Sequence, residues 1–297
     1  MKNIILLILL CIGCKTNTKK NIETAFEIGI IADCQYCNCD ASNTRFYTGS
    51  LAKLKTAVDT LNTKELAYTI HLGDFIDRDY ESFDSVLPIW NRLTSKKQQV
   101  LGNHDFSVAD SLKKLVPGKM GLKSRYYSFL KNNWRFIVLD GNDLSFYGAI
   151  SDKKRQQTDS LFNELKDKKI PNLQTWNGGI SLAQLNWVKE ELEIAVVQNE
   201  KVGFYCHFPA VKEGEVHNLW NYKQLLQLID NYEQVKFYFN GHNHHGAYEE
   251  KNGVHHLTFK GMVDTEKSTA FSTATITKDS IFITGYGREK SRRLKIK

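Results

Sequence analysis

The chain has 297 residues, of which 41% are hydrophobic and 25% charged, and a formal net charge of +7. That mixture excludes a disordered or fibrous chain and suffices for one α/β domain with a substantial core. With only four prolines, no Gly/Ser-rich linker and no repeat, a second domain is not expected. No basic face interleaved with aromatic residues supports nucleic-acid binding.

The N-terminus stands apart. Lys2 precedes an unbroken apolar run over residues 4–12, followed by Gly13 and Cys14. A basic start, a short apolar core and a small residue before the cut describe a secretory leader. A spanning helix needs roughly 20 apolar residues, and this run is about half that. Leu10-Cys11-Ile12-Gly13-Cys14 resembles a bacterial lipobox. It implies removal of residues 1–13, a lipid on Cys14, and an exported lipoprotein anchored to a membrane of the bacterial cell envelope. Residues 14–25 then read as a polar tether and 26–287 as the folded domain. Residues 288–297, with six basic residues and Glu289, read as a solvated basic tail.

Within the domain, short apolar or β-branched runs predict strands at 26–32, 67–72, 134–139, 202–206, 235–239, 256–259 and 271–276. A last edge strand is expected at 280–284. Leu51, Leu54, Val58 and Leu61 share one helical face. Ser181 and Gln184 have capping-box spacing, and Leu185, Val188 and Leu192 continue as an apolar stripe. Strands alternating with helices, then a strand-rich stretch, favour an α/β sandwich.

Five polar clusters lie along the domain, four of them directly after these strands: Ala32-Asp33-Cys34-Gln35, Gly73-Asp74-Phe75-Ile76-Asp77-Arg78, Gly102-Asn103-His104-Asp105, Cys206-His207-Phe208-Pro209 and Gly241-His242-Asn243-His244. Alone, an Asp after a strand is usually a turn or cap, and a lone His a satisfied polar group. In open α/β sheets, however, loops at strand ends build the ligand site, so five such clusters can converge. Carboxylate, amide oxygen and imidazole together suit divalent Mn, Fe or Zn. Two such ions roughly 3.5–4 Å apart clamp a phosphoryl oxygen and activate water. One carboxylate must bridge them, and an Asp in a tight Gly-Asp turn is suited to that.

Cys34, Cys37 and Cys39 crowd one loop, while Cys206 is distant. A structural zinc site needs four ligands, so the run does not make one. Export would allow Cys37 to pair with a neighbour, but small residues lining a loop is the reading adopted. His71 is expected to pack inside or between layers. His245, His255 and His256 are not assigned as ligands. Nor is His217, which lies in a loop from which it could approach a substrate.

The five blocks, in this order, resemble the calcineurin-like metallophosphoesterase superfamily, whose pattern is D-x-H/Q, G-D-x-x-D, G-N-H-D/E, H and G-H-x-H. The resemblance implies a four-layer α-β-β-α sandwich. It implies Asp33, Gln35 and His244 on one metal, Asp74 bridging, and Asn103, His207 and His242 on the other. His104 would protonate or stabilise the leaving oxygen, with Asp77 orienting it. Arg78 matches a phosphate-contacting arginine of some branches. Gln35 stands where many members have His. Together with Tyr36, Trp176-Asn177-Gly178-Gly179, Gln184-Leu185-Asn186-Trp187 and Leu219-Trp220-Asn221-Tyr222, it resembles the manganese-dependent ADP-ribose/CDP-alcohol diphosphatase branch. That implies two divalent ions, Mn first and Fe or Zn as alternatives; separately, a monomer is expected. Its substrate would be a small nucleoside-diphosphate-linked compound. Arg45, Phe46, Asn177 and Trp220 are candidates for contacting phosphate, base or ribose. The alternative is a broader phosphodiesterase or phosphomonoesterase of the same superfamily.

Overall fold

The computed structural model describes residues 25–211 and 213–296, so the leader, Cys14 and most of the tether lie outside the described residues. The chain begins with β1 (Phe26–Ile31), α1 (Ser50–Leu61), β2 (Leu66–His71), α2 (Ser82–Trp90) and β3 (Lys96–Gln99), then two short helices, α3 (Asp110–Lys113) and α4 (Val116–Lys119). A second run follows with β4 (Tyr127–Lys131), β5 (Trp134–Val138), α5 (Asp152–Lys166), α6 (Leu182–Gln198), β6 (Lys201–Tyr205) and α7 (Tyr222–Ile229). It ends with β7 (Val235–Asn240), β8 (Ala247–Lys251) and β9 (Val254–Thr258). Finally β10 (Ala270–Ile276), β11 (Ser280–Gly287) and β12 (Arg292–Lys295) return to the first sheet. The sheet orders are β12-β11-β10-β1-β2-β3 and β4-β5-β6-β7-β9-β8.

Strand alternation decides the layering, because successive side chains point to opposite faces. Ile28 and Ile30 of β1, with Tyr68 and Ile70 of β2, meet Phe136, Tyr205 and Phe237 of the other sheet. On the outer face of the first sheet, Ile31 packs with Leu54 and Val58 of α1 and Val86 and Trp90 of α2. On the outer face of the second, Ile137, Phe204 and Tyr238 meet Val188 and Leu192 of α6 and Leu225 and Ile229 of α7. The result is the four-layer α-β-β-α sandwich. Each fully buried Phe or Leu in these interfaces contributes about 1.5–3 kcal/mol. His71, fully buried on the outer face of β2 against Phe75 and Trp90, packs between layers as expected.

The structure departs from the sequence expectations in four places. β12 flanks β11, so β11 is not an edge, and residues 288–296 are not a solvated tail. Leu294 and Ile296 are buried, Arg288 donates to the Gly261 carbonyl, and buried Glu289 accepts from the Lys260 N–H. Alternate apolar residues in the basic run give it an inward face, which its charge obscured. Cys37 and Cys39 form a disulfide rather than lining the loop as free thiols; Cys34 and Cys206 remain reduced and buried. Only half of the capping box at α6 forms. Ser181 Oγ accepts from the Gln184 N–H, but the Gln184 amide instead pairs with both the N–H and the C=O of Asp140. The helix ends at Asn199 in a left-handed conformation whose N–H returns to the last turn. Finally, β3, β4 and β8 were not foreseen, because half-exposed and polar edge strands lack an apolar run. Among the described residues, no helix is long and apolar enough to cross a membrane.

Candidate metal centre

β1, β2 and β3 are mutually parallel, as are β5, β6, β7 and β9. The polar clusters follow the C-terminal ends of β1, β2, β3, β6 and β7, and all five meet at one end of the sandwich. Close approach there depends on glycine. A Cβ on Gly102 would lie 2.1 Å from Asp74 Oδ1, and Gly73, at φ +93°, brings its chain against the His207 ring. Asp33, Gln35, Asp74 and His242 all adopt positive φ. Such conformations cost on the order of 1–3 kcal/mol each and persist where surrounding contacts over-determine them.

Asp105 supplies part of that determination. Its carboxylate accepts from the N–H groups of Gly102, Asp74, Phe75 and Ile76, welding the second and third loops together. Lys53 supplies more. Buried in α1, its ammonium donates to the carbonyls of Met262, Val263, Asp264 and Thr265. That segment carries Asp264, whose Oδ1 lies 3.0 Å from His244 Nδ1.

At the centre, ligand atoms of Asp74, His207 and His242 lie within 4.8 Å of one another. His207 Nε2 is 3.2 Å from Asp74 Oδ2, 3.1 Å from Asn103 Oδ1 and 3.1 Å from His242 Nδ1. Its other nitrogen, Nδ1, donates to the Leu72 carbonyl, so a neutral His207 turns a bare lone pair toward three further acceptors. Without a cation, a proton resolves the conflict. Burial pushes the His207 imidazole down, but the Asp74 carboxylate overrides this and lifts it to about 9. Burial also opposes ionisation of Asp74, yet His207 and His104 hold its carboxyl well below the usual range. Burial raises Asp33 and drives His242 far below its ordinary value, toward the neutral form that binds metal. A divalent ion would satisfy these atoms together.

Beside this cluster, Asp33 Oδ1 lies 3.6 Å from His244 Nε2 and accepts the His242 N–H at 3.0 Å. Gln35 donates through Nε2 to Asp74 Oδ2 at 3.1 Å, while its buried Oε1 has no partner. That orphaned oxygen and the carboxylates around it fit a second cation. Each of the three histidines has its remote nitrogen engaged: His207 by Leu72, His242 by Asn177 and His244 by Asp264. Such partners fix the orientation of metal-binding imidazoles.

His104 is held differently. Its backbone N–H donates to Asp74 Oδ1 at 2.8 Å, and its Nδ1 pairs with Asp77 Oδ1. Burial lowers the imidazole, but Asp74 and Asp77 together raise it above its ordinary value. The ring stays partly exposed in a cleft of about 300 Å³, lined by Asp74, Asn103, His242 and His244 on its floor. Arg45, Tyr147, Trp176 and His217 form its walls. A larger cavity, about 630 Å³, lies by Trp90, Gln99 and Met120 and contains none of these groups.

The structure thus brings together Asp33, Gln35, Asp74, Asn103, His207, His242 and His244, with His104 and Asp77 beside them. Arg45 also reaches the cleft. The other substrate candidates do not line it. Phe46 is half-buried and fixes its backbone to Val263. Trp220 is buried between Phe146 and Phe162 and bonds Gln174 through its indole N–H. Asn177 lies behind His242. Arg78 is exposed over the Tyr47 ring. Sequence reasoning did not select Tyr147 or Trp176 as cleft residues, nor Asp264 as the partner of His244. Trp176 lay within a quoted motif, so a signal for it existed.

Residues 26–246 match the model of the calcineurin-like phosphoesterase family. The manganese-dependent ADP-ribose/CDP-alcohol diphosphatase of Xenopus laevis is 30% identical over 93% of this chain and 92% of its own length. The Homo sapiens protein of the same name is 29% identical over 93% of this chain and 94% of its own. Among solved structures, a dimetal phosphatase from Danio rerio superposes with a TM-score of 0.81 at 25% identity. It covers 92% of this chain and 99% of its own.

Proposed function

Because the chain belongs to the calcineurin-like phosphoesterase family and is a metal-dependent diphosphatase-type hydrolase, we propose that it cleaves the phosphoanhydride of nucleoside-diphosphate-linked alcohols or sugars of the ADP-ribose or CDP-alcohol type. The products are a nucleoside monophosphate and a phosphorylated alcohol. Two divalent ions, manganese by the precedent of the relatives' names, supply the Lewis acidity that neutralises phosphoryl charge and makes water nucleophilic. Asp33, Gln35, Asp74 and His244 would hold one ion, and Asp74, Asn103, His207 and His242 would hold the other. The observation that carries this reading is the convergence of bare ligand atoms around His207 Nε2, beside His104, whose imidazole is raised above its ordinary value by Asp74 and Asp77.

The chain's own groups then divide the work. Arg45 brings fixed positive charge to the phosphate side of the cleft. His104, held by Asp77 through Nδ1, is placed to deliver a proton to the leaving oxygen. Tyr147, Trp176 and His217 give the cleft ring surfaces against which a base or sugar can lie. Purified protein assayed on ADP-ribose, CDP-choline, cyclic nucleotides and p-nitrophenyl phosphate, each with Mn, Mg and Zn, tests the assignment. Preferential Mn-dependent release of nucleoside monophosphate supports it; turnover of simple monoesters alone contradicts it.

The same proposal places the enzyme, as a monomer, outside the cytoplasm on a lipid anchor at Cys14. The motivation is the leader-like residues 1–13 and the lipobox-like sequence that ends at Cys14. Mass spectrometry of the mature N-terminus decides the point: a diacylglyceryl group on Cys14 supports it, and an unmodified Met1 refutes it.

A further inference from the structure

Asn177 is fully buried, is absent from the cleft lining, and directs all its side-chain bonds inward. Its Nδ2 donates to the Asn172 carbonyl at 2.8 Å and to the Val216 carbonyl at 2.7 Å. Its Oδ1 lies 2.9 Å from His242 Nε2. Carbonyl oxygens accept only donors, so the two backbone bonds fix which end of the amide is nitrogen and leave the oxygen facing the imidazole. An amide oxygen accepts only, so Nε2 must carry the proton. The neutral ring then has its lone pair on Nδ1, the atom 3.1 Å from His207 Nε2.

We infer that Asn177 is a positioning residue, which fixes His242 as the Nε2–H tautomer and thereby offers Nδ1 to the second metal ion. The inference rests on the assignment of His242 as a ligand. It accounts for an Asn at a site with no access to substrate. It also gives His242, whose backbone sits at φ +69°, a tether against ring rotation. The amide's grip on the Val216 carbonyl links the same bond to the loop that carries His217.

Two readouts test this without measuring turnover. In metal-free protein labelled with 15N-histidine, long-range proton–nitrogen correlation should show His242 protonated at Nε2; an Nδ1-protonated ring overturns the inference. In Mn(II) titrations, Asn177→Ala should weaken one of the two sites by about 10- to 100-fold and leave the other unchanged. Asn177→Asp keeps an oxygen toward Nε2 but loses both donors to the carbonyls. It should therefore melt lower than Asn177→Ala yet bind the second ion more tightly. If the amide merely bridges two carbonyls, both variants lose affinity alike and the inference falls. Should the variants fail to fold, the His242 tautomer, read on the unaltered protein, decides. His242→Ala separates the premise from the inference. If it retains two ions, His242 is not a ligand; if it loses one while Asn177→Ala loses none, only the role of Asn177 is wrong.

Discussion

Replacing Asp105 with Ala should loosen the loops that carry the candidate ligands while leaving every ligand in place. The Asp105 carboxylate accepts four backbone N–H groups, at 2.9 Å from Gly102, 3.1 Å from Asp74, 2.8 Å from Phe75 and 3.2 Å from Ile76. At about 1 kcal/mol net per hydrogen bond, their loss is worth about 4 kcal/mol. Part of this returns, because burial and the neighbouring Asp74 charge oppose ionisation of Asp105 and lift it to about 7. The expected cost is therefore about 2–4 kcal/mol, a fall in melting temperature of roughly 4–8 °C for a chain of this size. Thermal unfolding of the metal-free protein, followed by circular dichroism, measures it. Asp105→Asn, which keeps one acceptor oxygen and turns an amide donor toward the remaining N–H groups, should also lose stability. An Asp105→Ala protein that melts with the wild type would refute the reasoning.

His104→Ala should reduce kcat by about 10²- to 10⁴-fold on poor leaving groups and far less on p-nitrophenyl phosphate, with unchanged Mn content. Loss of metal would instead make His104 a ligand. His256 is buried beside Tyr238, and burial lowers its imidazole from 6.5 to about 4. The unfolded chain takes up that proton first, so the contribution is complete above pH 6.5 and is lost as pH falls toward 4. It amounts to about 3 kcal/mol, and His256→Phe should give a flatter melting profile between pH 7 and pH 4. Lys53→Met should leave four carbonyls without their ammonium donor, lower the melting temperature by several degrees, and weaken Mn binding at the His244 site, as read by titration.

The candidate ligands were legible because chemistry restricts them. Few residue types bind hard or intermediate cations, and each cluster sits where a strand ends. Central strands were legible as apolar runs. Edge strands were not: β3 reads Lys-Lys-Gln-Gln, and its pairing with β2 depends on a neighbour distant in sequence. Trp220 illustrates another limit. An aromatic residue in a motif-like stretch resembles a substrate platform, yet here Phe146 and Phe162 enclose it. Asn177 was associated with the site for a different reason than the one its bonds reveal. Lys53 carried no signal in the sequence, because nothing local indicates that residues 262–265 turn their carbonyls toward it. In both cases the determining partner lies far along the chain, where neither periodicity nor spacing reaches.

Anomalous diffraction at the manganese edge, from crystals of the Mn-reconstituted protein, tests the central claim most directly. Two peaks roughly 3.5–4 Å apart should appear, both touching Asp74, one beside Asp33 and His244 and the other beside Asn103, His207 and His242. A single peak, no peak, or density away from Asp74 would contradict the account.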